Sequence, residues 1–402
     1  MLRGGCAARV DSGSPTLAMT VGGNLMDALS GRPCSLPSRA IVAALTPLSW
    51  LYVVGLEAYL LPYRIGWRRR HRLPCPVVSV GNLSSGGTGK TGLALTLVRA
   101  LRSAGVDVCV LSRGYKGAHE GGVGVVSDRE HVLLSPAEAG DEAFLLARAL
   151  PGTPVVVGRD RRQTGDQAWA RFRPQIVVLD DGMQYYQLHR DREITLLDAN
   201  LPFGNGRTLP AGILREPPAH LRRSDWVVLS GMETENGLPN REVTERVKRH
   251  LGHSRILRGC YRGVGLRDVV GDERFELAML AGRRVATICA LGNPAQFERQ
   301  VAHAGADVVH AVRYPDHYAP SEGEIREALD ACMAAGAEAA IVSEKDAVKL
   351  GSFLRARGDA ASANRGLRCP VWVFEAEFAL NDMTELMQDL LSLAGCERPC
   401  GC

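Results

Sequence analysis

The sequence predicts an α/β protein: a parallel-sheet domain opened by a phosphate-binding loop, a second, smaller α/β domain, and an N-terminal membrane-associated helix. Three observations carry this. Apolar strand-like runs alternate with helical stretches from Cys75 onward. A glycine-rich stretch, "GNLSSGGTGKTGLALTLVRAL" from Gly81 to Leu101, stands between the first strand and the first helix. A long apolar segment ends in an arginine cluster just upstream of it.

Residues 1–38 are rich in Gly, Ser and Ala without periodicity and are expected to form a disordered tail, with Met26 as an alternative start. Residues 39–72 form the anchor region. "AIVAALTPLSWLYVVGL" (Ala40 to Leu56) carries no charge, Glu57 interrupts it, and "RRRHR" (Arg68 to Arg72) follows. Trp50, Tyr52, Tyr59, Tyr63 and Trp67 suit a membrane interface, and the arginines suit anionic headgroups. A membrane anchor or interfacial helix is favoured over a buried core helix. Whether it spans the bilayer or lies on it stays open, since Pro47 and Glu57 weaken a simple span.

The first sheet domain is expected over 73–257. Its strands are "CPVVSVGN", "DVCVLSRG", "PVVVG", "QIVVLDDG", "EITLLDA" and "DWVVLSG", with helices from about Lys90 to Ser103 and from Asp141. The pattern loosens over 258–282, read as an extended connector. The second domain, 283–402, alternates again through "VATICALG", "NPAQFERQVAHAG", "DVVHAVRYP", "SEGEIREALDACMAAG", "AAIVSEKD" and "CPVWVFE". It ends on a helix near "NDMTELMQDLLSLAG". Ligands of such sheets sit at the C-terminal strand ends, where a second domain can close over them.

Charge and cysteine usage narrow the function classes. A formal net charge of +4 over 402 residues argues against a dedicated nucleic-acid binder. The 11 cysteines form no CxxC pair and no zinc spacing, so reduced thiols are expected, including Cys396, Cys400 and Cys402 in the tail.

The loop residues Ser84, Ser85, Gly86, Gly87, Thr88, Gly89, Lys90 and Thr91 point to a nucleotide triphosphate. Backbone N–H groups of such a loop face phosphate oxygens, and the helix N-terminus adds a favourable field. Lys90 would reach the β- and γ-phosphates, and the Thr91 hydroxyl would ligate Mg²⁺. Ser84 stands where the usual pattern has its first glycine. Asp180 and Asp181 close an apolar strand, the place of a metal-holding carboxylate, and a cation would relieve their mutual repulsion. These residues imply Mg-nucleotide hydrolysis or phosphoryl transfer without naming the acceptor.

Together the motifs resemble one family, the tetraacyldisaccharide 4'-kinases, which act on lipid A in Gram-negative bacteria. The resemblance runs from "LTPLSWLY" to near the C-terminus. It rests on "VGNLSSGGTGKT", "LSRGYKG", "GDEAFLLA", "VGRDRR", "VLDDGMQYYQLHRD", "FGNGRTLPAGILREP", "ALGNPAQFE", "YPDHY" and "SEKDAVKL" in that order. The family also lacks the first loop glycine. Gly92 is a departure, because the family usually has proline there.

The resemblance implies a P-loop NTPase-type fold and transfer of the ATP γ-phosphate to the 4'-hydroxyl of tetraacyldisaccharide 1-phosphate. It implies a lipid acceptor at the cytoplasmic face of the bacterial inner membrane, with ATP and Mg²⁺ as cofactors and no protein partner. Asp141 matches the family's catalytic aspartate and His317 its histidine partner. Asp180 and Asp181 match the Mg²⁺ ligands. Glu142 and Gln184 match further polar positions of the site, and Arg215 and Asn293 match cleft-lining loop residues. Arg113, Arg159 and Arg162 are candidates for phosphate contacts, since arginine forks suit phosphate oxygens. The competing reading is a membrane-associated switch ATPase, which shares the "GGTGKT" core but needs a lysine where this chain has Ser85.

Overall fold

A computed structural model describes residues 25–395 apart from 87, 232–240, 270–272, 316, 317, 319 and 348–368. The tail before residue 25, Gly87, His317 and the C-terminal cysteine cluster therefore lie outside the described residues.

The described strands join in one 13-stranded sheet, with β1 (Val77–Asn82) between β5 (Ile176–Asp180) and β6 (Arg192–Asp198), both parallel to it. Outward from β5 lie β2 (Val108–Ser112), β4 (Val155–Val157) and the antiparallel edge strand β3 (Gly124–Ser127). Outward from β6 lies β7 (Trp226–Ser230). Every residue of β1, β2, β5 and β7 is buried, which accounts for their unbroken apolar runs.

Alternate residues serve opposite faces. Val78 and Val80 of β1 pack with Leu93, Leu97 and Leu101 of helix α2 (Lys90–Ser103). Val77 packs instead with Ala168 and Phe172 of α4 (Arg161–Phe172) on the other face. Between these in sequence lies α3 (Asp141–Ala149), whose Leu146 joins the α2 side.

The 14-residue strand β8 (Arg255–Asp268) connects two halves of the sheet. Its first residues run parallel to β7, and from Gly259 onward it pairs antiparallel with β13 (Val371–Leu380). The stretch 258–282 thus carries most of β8 and the short β9 (Arg274–Phe275). Beyond β13 the parallel strands β12 (Ala339–Ser343), β10 (Arg284–Cys289) and β11 (Asp307–Arg313) complete the order. They are flanked by α6 (Pro294–His303) and α7 (Glu322–Ala334), with α5 (Arg241–Lys248) lying before β8. The last helix, α8 (Thr384–Ala394), returns to the first half: Leu386 and Leu390 join the α2 core, and Asp389 accepts bonds from Arg192 and from the Trp226 indole.

Helix α1 (Leu36–Arg64) is an inverted amphipath. It is long and apolar enough to cross a membrane. Thr46, Ser49 and Leu60 are buried, Val53, Leu56 and Glu57 are half-buried, and all six fall on one helical face. The polar members of that face bond to the body of the protein: Ser49 Oγ donates to Thr208 O, and Glu57 meets His220 at 2.7 Å. Trp50, Leu51, Val54 and Leu61 point outward and are exposed. Glu57 therefore interrupts the apolar segment on its protein-facing side only.

Gly92 has a local cause. A Cβ there would lie 2.3 Å from the Tyr261 hydroxyl, and the Tyr261 ring is held edge-on against Phe378. Gly92→Ala should cost about 1–3 kcal/mol in chemical denaturation, as overpacking of a fixed ring does. Unchanged stability would mean that Tyr261 moves aside freely.

Candidate active site

The phosphate loop leaves β1 at Asn82 and enters α2 at Lys90. Gly89 precedes the helix with φ +94°, a left-handed conformation that favours glycine. Ser84, by contrast, forms an antiparallel bridge with Leu214, an extended pairing in which a side chain is accommodated. Ser85 donates both its amide and its hydroxyl to Ile213 O, at 2.7 and 2.9 Å. The 207–216 segment thus straps the front of the loop. Thr88 is fixed from two sides: its hydroxyl accepts from Asn82 Nδ2, and its carbonyl accepts from Ser230 Oγ.

Lys90 Nζ donates to Asn82 Oδ1 at 3.1 Å and lies 3.6 Å from Asp181 Oδ1. Asp181 follows β5 with φ +51°, an uncommon conformation for a non-glycine residue and one that collects at functional sites. Arg215 Nη1 contacts both Asp181 carboxylate oxygens at 3.0 Å and donates to Gln184 Oε1 at 3.1 Å. Gln184 in turn donates to the Asn82 carbonyl and to Glu216. Sequence-predicted Lys90, Asp181, Gln184 and Arg215 therefore form one bonded cluster.

Asp180 has the opposite environment. It is buried, and its Oδ1 has no hydrogen-bond partner among the described residues. Burial, then the neighbouring Glu142 and Asp181 charges, push its pKa up to about 7. Asp181 is held below its ordinary value: burial alone would raise it, but Lys90 and Arg215 outweigh that. Two adjacent carboxylates, one bonded to Arg215 and one whose burial and acidic neighbours outweigh the Lys90 and Arg161 charges, make a site that a divalent cation would complete.

Asp141 and Glu142 begin α3 behind Gly140, whose φ is +83°. Glu142 lies 3.6 Å from Lys345 Nζ, contributed by the segment after β12, so the two sheet halves meet beside Asp141. Arg113 and Glu120 pair at 2.8 Å, and the Arg159 amide donates to Glu120 O. Arg162 is committed to Asp160, the N-cap of α4, through its amide, Nε and Nη2. Asn293 caps α6 by accepting from Gln296 N.

Some site residues escaped the sequence reading. Arg161, between Arg159 and Arg162, is the buried one; burial lowers its pKa, and the Asp181 and Asp180 charges oppose that. Nothing in "GRDRR" distinguishes it, because burial depends on where α4 docks. Asn82, Glu216 and Lys345 sit inside motifs quoted above; Asn82 meets Thr88 and Lys90 of its own loop, while Glu216 and Lys345 reach the site through Gln184 and Glu142, distant in sequence.

The family model described as tetraacyldisaccharide-1-P 4'-kinase matches residues 41–394. A tetraacyldisaccharide 4'-kinase of Syntrophus aciditrophicus is 39% identical over 321 residues, covering 74% of this chain and 84% of the relative. One from Geobacter metallireducens is 39% identical over 320 residues, covering 80% and 92%. One from Chromobacterium violaceum is 38% identical over 349 residues, covering 86% and 92%. The crystal structure of the "apo" form of LpxK from Aquifex aeolicus in complex with ATP superposes with a TM-score of 0.67. It is 30% identical and covers 88% of this chain and 99% of that one.

The Asp180 environment predicts a pH effect on the metal-free protein. Its raised folded pKa means that the folded chain holds this proton more tightly than the unfolded chain does. The resulting stability is full below the ordinary carboxylate pKa and is lost as pH rises through about 7. Asp180→Asn should match wild type at low pH and become increasingly more stable than it as pH rises toward 8, measured by urea denaturation with chelator present. A constant difference across that range would contradict the assignment.

Proposed function

The chain belongs to the tetraacyldisaccharide-1-P 4'-kinase family, and we propose that the cluster at the ends of β1 and β5 is where it performs that family's reaction. The protein transfers a phosphoryl group from ATP to the 4'-hydroxyl of tetraacyldisaccharide 1-phosphate, a step of lipid A biosynthesis. The carrying observation is the convergence of Lys90, Arg215 and Asp181 beside buried Asp180, whose Oδ1 has no hydrogen-bond partner among the described residues.

The loop from Gly86 to Thr91 would cradle the triphosphate with its amides, Ser84 and Ser85 being held by the 213–214 segment, and Lys90 exchanges its contacts with Asn82 and Asp181 for phosphate oxygens. Thr91, Asp180 and Asp181 would hold Mg²⁺, which neutralises phosphate charge when bound. Among the described residues no three of His, Cys, Asp and Glu form a ready metal cage. That suits Mg²⁺, which takes one or two protein carboxylates and completes its shell with water and phosphate. The unpaired Asp180 Oδ1 is the stronger protein ligand of the two aspartates, because Asp181 already receives Arg215. Arg215 and Arg161 are the cations placed to steady charge on the transferring group.

A sugar hydroxyl is a weak nucleophile, and Asp141 is the base that accepts its proton as the new P–O bond forms. By the family's pattern His317, which lies outside the described residues, would act with Asp141. Glu142 and Lys345 tie the halves beside it, so the acceptor side is completed only when both halves meet. The outward apolar face of α1 rests on the cytoplasmic side of the bacterial inner membrane and holds this site at the surface where the lipid acceptor is dissolved.

Purified protein with Mg-ATP and tetraacyldisaccharide 1-phosphate in detergent should yield the 4'-phosphorylated lipid; ATP hydrolysis without lipid product would overturn the assignment of the site. Asp141→Ala should lower kcat by about 10²–10⁴-fold with little change in the KM for ATP, the signature of a lost general base. Lys90→Ala should both raise the KM for ATP and lower kcat, and normal values for both would remove Lys90 from the phosphate site.

A further inference from the structure

The first turn of α2 begins with three backbone amides outside the helical ladder. Leu93 N is the first to close onto the helix, donating to Gly89 O at 3.0 Å, so the amides of Lys90, Thr91 and Gly92 precede it. Lys90 and Thr91 belong to the phosphate loop. Gly92 has a different neighbour. Its backbone donates to the Tyr261 hydroxyl, whose oxygen would stand 2.3 Å from a Cβ at residue 92. The same ring lies 3.1 Å from the place of a Cβ on Gly89. Tyr261 therefore lies along the whole first turn, and the residues beneath it at both ends are glycines.

Tyr261 is itself held in place. It stands on β8 directly opposite Phe378 of β13, and the two rings meet edge to face with centroids 5.2 Å apart. Phe378 is buried in the α2 core. The Phe378 carbonyl accepts from Thr96 Oγ1 at 2.6 Å, and the same hydroxyl lies 3.1 Å from Gly92 O. The β8–β13 ribbon thus reaches residue 92 from two directions: Tyr261 meets its amide, and Thr96 links its carbonyl to Phe378. Burial, then the Glu344 and Asp180 charges, hold the Tyr261 hydroxyl above its ordinary pKa, so it meets the Gly92 amide as a neutral phenol.

The ribbon is also what joins the two halves of the sheet. The placement of Lys90 and Thr91 is therefore set from that joint as well as by α2 itself. We propose that Tyr261 is a positioning residue for the phosphoryl transfer: its hydroxyl takes up the third amide of α2 and fixes the turn that carries Lys90 and Thr91. The inference rests on the reading of that turn as the triphosphate site. Two helix amides, those of Lys90 and Thr91, are then left for phosphate oxygens, and the Lys90 and Thr91 side chains leave the helix in a direction that Tyr261 holds constant.

The test uses the full chain in detergent. Tyr261→Phe removes the hydroxyl and keeps the ring against Phe378. Binding of a non-hydrolysable ATP analogue with Mg²⁺, followed by calorimetry without acceptor, should weaken by about 3- to 10-fold, the size of one lost hydrogen bond. The KM for ATP should rise with it, while the KM for the acceptor lipid stays at the wild-type value. Amide exchange of a peptide covering residues 89–93 should speed up in the same variant. Unchanged nucleotide affinity would overturn the proposal. So would equal losses in the KM values for ATP and acceptor, the mark of general destabilisation. Should Tyr261→Phe fold poorly, Thr96→Val decides the matter, because it cuts the other link to the ribbon and leaves Tyr261 in place. It should weaken nucleotide binding in the same selective way, and normal affinity there would overturn the role of the ribbon. Wild type that binds no Mg-nucleotide removes the triphosphate reading itself, whereas normal wild-type binding beside an unaffected Tyr261→Phe removes the role of Tyr261 alone.

Discussion

A carboxylate without solvent must be matched by donors or lose its charge. Glu216 has no exposed side-chain surface, and it is matched by Tyr186, Gln184, His220 and both terminal nitrogens of Arg223. Burial alone would raise its pKa, yet the His220 and Arg223 contacts, with the Tyr186 hydrogen bond, hold it down at about 2. The partners come from different segments: Gln184 and Tyr186 follow β5, while His220 and Arg223 lie in the turn before β7. Satisfying this one charge therefore dictates how those segments pack.

The consequence reaches the reaction centre through side chains that each have two duties. Gln184 is oriented by Glu216 and by the Asn82 carbonyl, and its own oxygen then receives Arg215. Arg215 fixes Asp181 in its left-handed conformation, and Asp181 with Asn82 positions Lys90. The shape of the proposed ATP site is thus inherited from a buried ion cluster behind it. Pre-positioned charges of this kind favour a phosphoryl transfer that depends on placement and charge stabilisation.

The same hub extends outward to the apolar helix. His220 meets Glu57, Tyr52 donates to the Arg215 carbonyl, and Ser49 is bonded to Thr208 and Ala211. Helix α1 spends its polar residues on the protein and turns its apolar residues away from it, the reverse of a helix on a water-facing surface. That inversion couples the segment read as membrane-facing to the loop that straps the phosphate site, with no intervening linker.

The parts legible in the sequence are those encoded by local spacing. The strand–loop–helix order around Lys90, the paired aspartates closing β5, the acidic start of α3 and the long apolar segment are periodicities and motifs within a few residues of one another. They were sufficient for the fold class and the family. Tertiary structure alone decided which of neighbouring, chemically identical residues serve the site. Arg161 is buried and feels the aspartates while Arg162 is bonded to the helix cap Asp160; Asp180 stays raised while Asp181 is bonded to Arg215; Glu216, Lys345 and Glu57 each gain one partner, Gln184, Glu142 and His220, that only the fold brings near. The physical reason is that a charge is set by its surroundings in three dimensions, through burial and the field of nearby ions, and neither is written in the spacing of the residue along the chain.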